Sequence, residues 1–265
     1  MLDRVLTFAG PALLLAGALL VPARPAVAVV LALGWLGLRA SGRPASIAWA
    51  AVLPVAVLMT WPWVLGADGP IGDPACAAPL SVIALRRVLV AVVGFAVVAG
   101  LAWAHATGPA ELGLRRPSAG EAAIALVGVV ALAAGGLVIG PWIARPFFGQ
   151  LDFPRPVAAL VPAILFGVAN GVLEEVAYRG AMQAWLARTM PMAVAIGLQG
   201  LAFGIVHAGP EVVALLPVHI ALLAAVGVAG GIARVRLGSL WIPIGVHVGA
   251  DIALYVGLAC RAAGG

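Results

Sequence analysis

Apolar runs, most of roughly 17–25 residues, follow one another along the chain, the length a helix needs to cross a bilayer's hydrocarbon core. They fall near residues 5–21, 25–39, 46–66, 87–105, 121–144, 159–187, 190–207, 212–233 and 239–260, punctuated by Pro, Gly and Arg. None has the apolar/polar alternation of a barrel strand, and lipid leaves an isolated strand's backbone without partners, so helices are predicted throughout. The expected fold is all-α: a polytopic transmembrane helical bundle of about eight or nine spans. The longest connectors, 66–87, 106–120 and 145–156, leave no room for a soluble domain.

Composition agrees with the pattern: of 265 residues 64% are hydrophobic and 9% charged, and the mean hydropathy is +1.15. The net charge of +5 comes from arginine with no lysine, scattered through connectors rather than gathered into a nucleic-acid patch. These arginines read as topological. Eight on the side of the N-terminus against six on the other favour a cytoplasmic N-terminus. Arginine in place of lysine, with abundant Ala, Gly, Pro and Val, suggests a bacterial genome, so the expected location is the inner (plasma) membrane, multi-pass. The start of the chain, with Arg4, an apolar run and small residues near Ala28, resembles a signal peptide but is expected to remain as the first span.

Trp61, Trp63, Trp142 and Trp241 fall near predicted span ends, where indole rings anchor at the interface. Cys76 and Cys260 are too few for a disulfide framework and form no metal-type pair, so they read as structural or incidental thiols.

Against this background "GVLEEVAYRG", 171–180, places two glutamates and an arginine inside an apolar stretch. Three unpaired charges at the bilayer centre would cost on the order of 8–10 kcal/mol, so something must offset them. At about 100° per residue Glu175 and Arg179 share a helix face, whereas Glu174 lies about 140° from Arg179. Glu175 and Arg179 are therefore the expected ion pair, and Glu174 is the acid left over. Further on, Phe203 and His207 are one helical turn apart, as are His247 and Asp251. Intramembrane ionisable residues face a cavity or one another, so Glu174, His207, His247 and Asp251 suggest one shared hydrated site.

Two chemistries suit that set. A carboxylate and an imidazole can remove a proton from water while a second imidazole stabilises the oxyanion formed on a carbonyl. Alternatively Glu174, His207, His247 and Asp251 could hold a divalent metal such as zinc, which lowers the pKa of its bound water. Spacing alone does not choose, and no HExxH helix is present. His219 could border the cavity, and His105 closes a predicted span and reads as interfacial. Gly197, Gly200 and Gly204 fit close helix packing, and the glycines of 228–231 lack the strand-turn-helix context of a nucleotide loop.

Glu174-Glu175-Val-Ala-Tyr-Arg179, Phe203-x-x-x-His207 and His247-x-x-x-Asp251, in this order, resemble the three motifs of the CPBP intramembrane proteases, the family of CAAX prenyl endopeptidase relatives and bacterial abortive-infection or bacteriocin-processing proteins. The resemblance spans roughly 110–260 and includes 111–117 and 236–247. It implies accessory transmembrane helices over 1–105 and a protease core over 106–265, in the C-terminal half. It implies an endopeptidase that cleaves a membrane-anchored or lipidated protein near the membrane surface. Glu174 and His207 would activate the water, His247 and Asp251 would bind the oxyanion or complete the site, and Glu175 and Arg179 would support them. Asparagine is common where Asp251 stands; an ionised aspartate cannot donate to an oxyanion, so it would have to be protonated, ligate a metal or orient His247. A protease that removes C-terminal anchors of exported proteins, or a non-enzymatic immunity or scaffold protein, would share these features.

Overall fold

The computed structural model describes residues 2–65, 80–149, 156–208 and 214–258, and the described residues contain no strand. Cys76 and Cys260 lie outside them, as do the side chains of Trp61 and Trp63. The chain forms α1 (Leu2–Leu19), a short 3₁₀ turn (Val21–Ala23), α2 (Arg24–Ala40), α3 (Ser46–Leu65), α4 (Leu80–Ala104) and α5 (Ala119–Phe148). It continues as α6 (Pro156–Glu174), a π-helical stretch (Glu175–Met182) running into α7 (Gln183–Ala187), then α8 (Met192–Val206), α9 (Leu216–Leu237) and α10 (Trp241–Leu258). Among the described residues Leu2–Leu19, Ser81–Ala104, Ala119–Phe148, Ala159–Ala187 and Leu216–Leu237 are long and apolar enough to cross a membrane, by length and composition. Ser46–Thr60, Met192–Val206 and Trp241–Val256 are apolar but shorter. The molecule is a multi-pass helical bundle, as expected.

Its outer surface is apolar. Trp103, Val138 and Trp142 are 88%, 71% and 77% exposed, which water would penalise and lipid tails do not. Trp241 is tied inward instead: its Nε1 donates to the carbonyl of Arg115 at 2.6 Å.

Two differences from the expected spans bear on function. α4 starts at Leu80, seven residues before the apolar run, so Arg87 lies inside a helix and is buried rather than sitting in a connector. The span expected over 159–187 winds as a π-helix over Glu175–Met182, a rare geometry that concentrates at functional sites.

Close helix approach sets the architecture. α10 packs between α5 and α6, α4 and α3 lie against α6 and the π-helical stretch, and α8 pairs with α9. Without a hydrophobic drive between helices in lipid, small residues that let backbones meet decide which faces pair. On α6 a Cβ at Gly171 would stand 2.9 Å from the backbone nitrogen of Val248, and one at Gly167 would stand 3.0 Å from that residue's carbonyl oxygen. On the opposite face of α10 a Cβ at Gly249 would meet the carbonyl of Val129 at 2.6 Å. Gly200 and Gly204 abut Val228 and Ala224 of α9 in the same way, as their spacing suggests, but Gly197 faces open space and takes no part. Gly230 makes room for the Arg179 guanidinium, a packing role rather than nucleotide binding.

A polar clasp holds the end of the bundle where α10 begins. Ser118 and Glu121 form a reciprocal capping box at the start of α5. Arg115 grips Glu121 through two bonds of 2.9 and 2.6 Å, and Ser239 donates to the same carboxylate at 2.7 Å. The Leu240 N–H donates to the carbonyl of Gly113 at 3.0 Å, so the α9–α10 turn is pinned to the segment before α5.

Candidate active site

Glu174 ends α6 and Glu175 opens the π-helical stretch; both are buried. As i,i+4 spacing predicts, Glu175 Oε1 pairs with Arg179 NH1 at 3.1 Å. The Arg179 guanidinium also stacks over the Phe203 ring, 4.2 Å from its centroid, so its charge has both an acid and an aromatic face. Glu175 has a second task that its spacing did not announce: its Oε1 accepts from His247 Nδ1 at 2.8 Å.

His207 caps the end of α8. Its Nδ1 stands 2.6 Å from the carbonyl of Phe203, which can only accept, so Nδ1 carries the proton there and Nε2 faces the other way. That Nε2 is 3.8 Å from Glu174 Oε2, and His247 Nε2 approaches the same oxygen at 3.7 Å. Both separations exceed a direct hydrogen bond. Glu174 Oε2 is buried and has no hydrogen-bond partner in the structure. A buried carboxylate oxygen without a donor is costly, and this one faces two imidazole rings across a gap.

Asp251 lies one turn from His247 on α10. Its Oδ2 accepts from Asn170 Nδ2 at 2.8 Å and stands 3.7 Å from His247 Nε2. The structure thus gathers Glu174, His207, His247 and Asp251 in one place, with Glu175 and Arg179 directly behind His247. His219 is buried against the rings of Phe147 and Phe148, with centroids at 5.3 and 5.5 Å, and lies next to the backbone of His207, at the border of the cluster. His105 follows α4 and accepts from the Trp35 indole, Nε1 to Nε2, at 3.0 Å.

Two residues entered the site unannounced. Arg87 of α4 donates to Glu174 Oε1 at 2.9 Å and to Asn170 Oδ1, and Asn170 joins it to Asp251. Asn170 lies four residues before Glu174, on its helix face in an apolar run, and that was a usable signal. For Arg87 none existed, since its partners are 83 and 87 residues away. Arg24, also assigned to a connector, is buried and donates to the carbonyls of Ala18 and Ala208, tying the chain just after His207 to the first helices.

For a metal, Nε2 of His207, Nε2 of His247 and Oε2 of Glu174 are the converging donor atoms, with Asp251 beside them. Among the described residues, however, no group of three His, Cys, Asp or Glu side chains is arranged to hold a metal ion as it stands.

Fold and cluster together define a class: a multi-pass membrane protein with buried carboxylates facing two partly buried imidazoles. Residues 156–253 match the family model described as Rce1-like, type II CAAX prenyl endopeptidase, which supports the resemblance of the motifs to the CPBP family. In broad terms the chain is a CAAX-type membrane protease, with a bilayer environment and a protein substrate. The matched residues contain the six site residues named from the sequence; Arg87 lies outside them. No curated protein and no solved structure matches the chain.

Proposed function

We propose that this chain hydrolyses a peptide bond of a membrane-anchored or lipidated protein near the surface of a bacterial plasma membrane, by direct attack of a water held between Glu174 and His207. The observation that carries this reading is the buried, partnerless Oε2 of Glu174, facing the Nε2 of His207 at 3.8 Å. His207 Nδ1 is committed as a donor to Phe203, so its Nε2 is an acceptor. A water admitted between these two acceptors would donate a proton to each. Such a water has both hydrogens turned inward and a lone pair turned outward, which is the orientation a nucleophile needs.

In the attack the water oxygen bonds to the scissile carbonyl carbon, Glu174 takes a water proton, and the carbonyl oxygen becomes an oxyanion. As an imidazolium flanked by the carboxylates of Glu174, Glu175 and Asp251, His247 donates from Nδ1 to Glu175 and is positioned to donate from Nε2 to that oxyanion. Collapse then expels the amine, which takes its proton from Glu174, and no covalent enzyme intermediate forms. Asp251 accepts from Asn170 beside His247, which suits orientation of that ring rather than donation to the oxyanion. The second reading places a divalent metal such as zinc on Glu174, His207 and His247, with or without Asp251. It is favoured by the meeting of two imidazole nitrogens and a carboxylate oxygen, and a bound ion would there polarise the water.

The test is cleavage of a prenylated Cys-a-a-X reporter peptide by the purified full-length chain in lipid. Glu174→Gln keeps an acceptor for Arg87 and removes the base. It should abolish cleavage while the protein still accumulates; full activity would sink the protease reading. Cleavage should survive chelation, whereas its loss together with stoichiometric zinc would select the metal-bound reading.

A further inference from the structure

A protein in lipid does not bury a guanidinium without a task, and Arg87 is 5% exposed in the middle of the bundle. Burying each ion of a pair costs several kcal/mol before their attraction is counted. Arg87 comes from α4, beyond the stretch matched by the family model.

Its geometry does more than neutralise an acid. One terminal nitrogen, NH2, carries two hydrogens, and both have acceptors: Glu174 Oε1 at 2.9 Å and Asn170 Oδ1. The first bond decides which carboxylate oxygen is committed, leaving Oε2 to face His207 and His247. The second decides which way the Asn170 amide turns. A guanidinium can only donate, so the amide oxygen faces Arg87 and the amide nitrogen faces Asp251, to which it donates at 2.8 Å. A flipped amide would set two donors against each other at one end and two acceptors at the other.

We infer that Arg87 is a positioning residue for the reaction. Through one nitrogen it selects the free oxygen of Glu174 and, by way of Asn170, orients Asp251 beside His247. Helix α4 thereby completes a site whose other members come from α6, the π-helical stretch, α8 and α10. The inference rests on the proposed hydrolysis and acts through Glu174; Arg87 itself need not touch substrate.

The experiment uses the full-length chain in lipid and the prenylated reporter peptide, with kcat and KM measured separately. Misplacing a reacting group by about 1 Å costs on the order of 100-fold, so Arg87→Met should lower kcat by about that factor with KM unchanged. Arg87→Lys, which restores a donor and a charge, should recover part of the loss. An unchanged kcat, a loss confined to KM, or a lysine variant no better than methionine would overturn the inference. If Arg87→Met does not accumulate, Asn170→Ala, which removes no charge, must lower kcat alone; an unaffected kcat would likewise overturn it.

A failure of the underlying reading is separable, because the wild type would then leave the peptide intact. In that case thermal unfolding of Arg87→Met, Glu174→Ala and the double variant decides the matter. Non-additive losses support the pairing that the inference requires, and additive losses overturn it.

Discussion

Glu174 and Glu175 are neighbours of one residue type, both buried, yet their surroundings differ completely. Glu175 satisfies Arg179 and His247 through one oxygen, whereas Glu174 gives one oxygen to Arg87 and keeps the other for the gap before the histidines. The sequence announced the Glu175–Arg179 pair because four residues make one helical turn, a relation that holds before any tertiary contact. It announced Glu174 only as a remainder, and a remainder does not name Arg87. His105 shows the same limit. It read as interfacial, with no hint in the sequence that its Nε2 accepts from Trp35 or that partial burial with Arg39 and Arg188 nearby holds its imidazole below the ordinary range. The neutral ring is therefore the one the fold stabilises. That contribution is present above the unfolded value of about 6.5 and is lost as pH falls through the lower folded value. Thermal unfolding in detergent at pH 7.5 and 5.5 should show a larger acid-induced drop for the wild type than for His105→Gln, which keeps the acceptor and does not titrate.

At the scale of elements, spans are legible because length and apolarity are local properties that lipid reads directly. Their ends were less legible: the helix containing Arg87 starts at Leu80, because polar residues with buried partners do not terminate a helix. The π-helical stretch was not legible either, since no residue type marks it and neighbouring helices decide it. The glycines of α6 and α10 carry the pairing of these helices and so the distance between the glutamates and His247. Gly171→Ala places a methyl 2.9 Å from the backbone nitrogen of Val248, where no flexible side chain can yield. The expected cost is about 1–3 kcal/mol, seen as a lower unfolding temperature, with reduced cleavage as α10 is displaced.

At the scale of the molecule, the division into accessory helices over 1–105 and a core over 106–265 remains a proposal, and Arg87 and Arg24 run against a purely peripheral first part. Both reach across it, one to Glu174 and the other to the carbonyl beside His207. A chain restricted to 106–265 would present an unpaired acid and the bare packing faces of α6 and the π-helical stretch to lipid. Such a chain should fail to accumulate in membranes, or accumulate without cleaving the reporter, as read by immunoblot and peptide assay; an active 106–265 fragment would contradict the assignment of Arg87.

The linear pattern by itself determined the helical class, the approximate spans, the Glu175–Arg179 pair and the candidacy of Glu174, His207, His247 and Asp251. Each follows from hydropathy over one span, from spacing over one turn, or from the presence of a polar group where lipid penalises it. Only the tertiary structure decided which oxygen of Glu174 is free, that His247 leans on Glu175, and that Asp251 is held through Asn170 by Arg87. These partners stand 72 to 87 residues apart, and only the packing of one helix face against another brings them within hydrogen-bond reach.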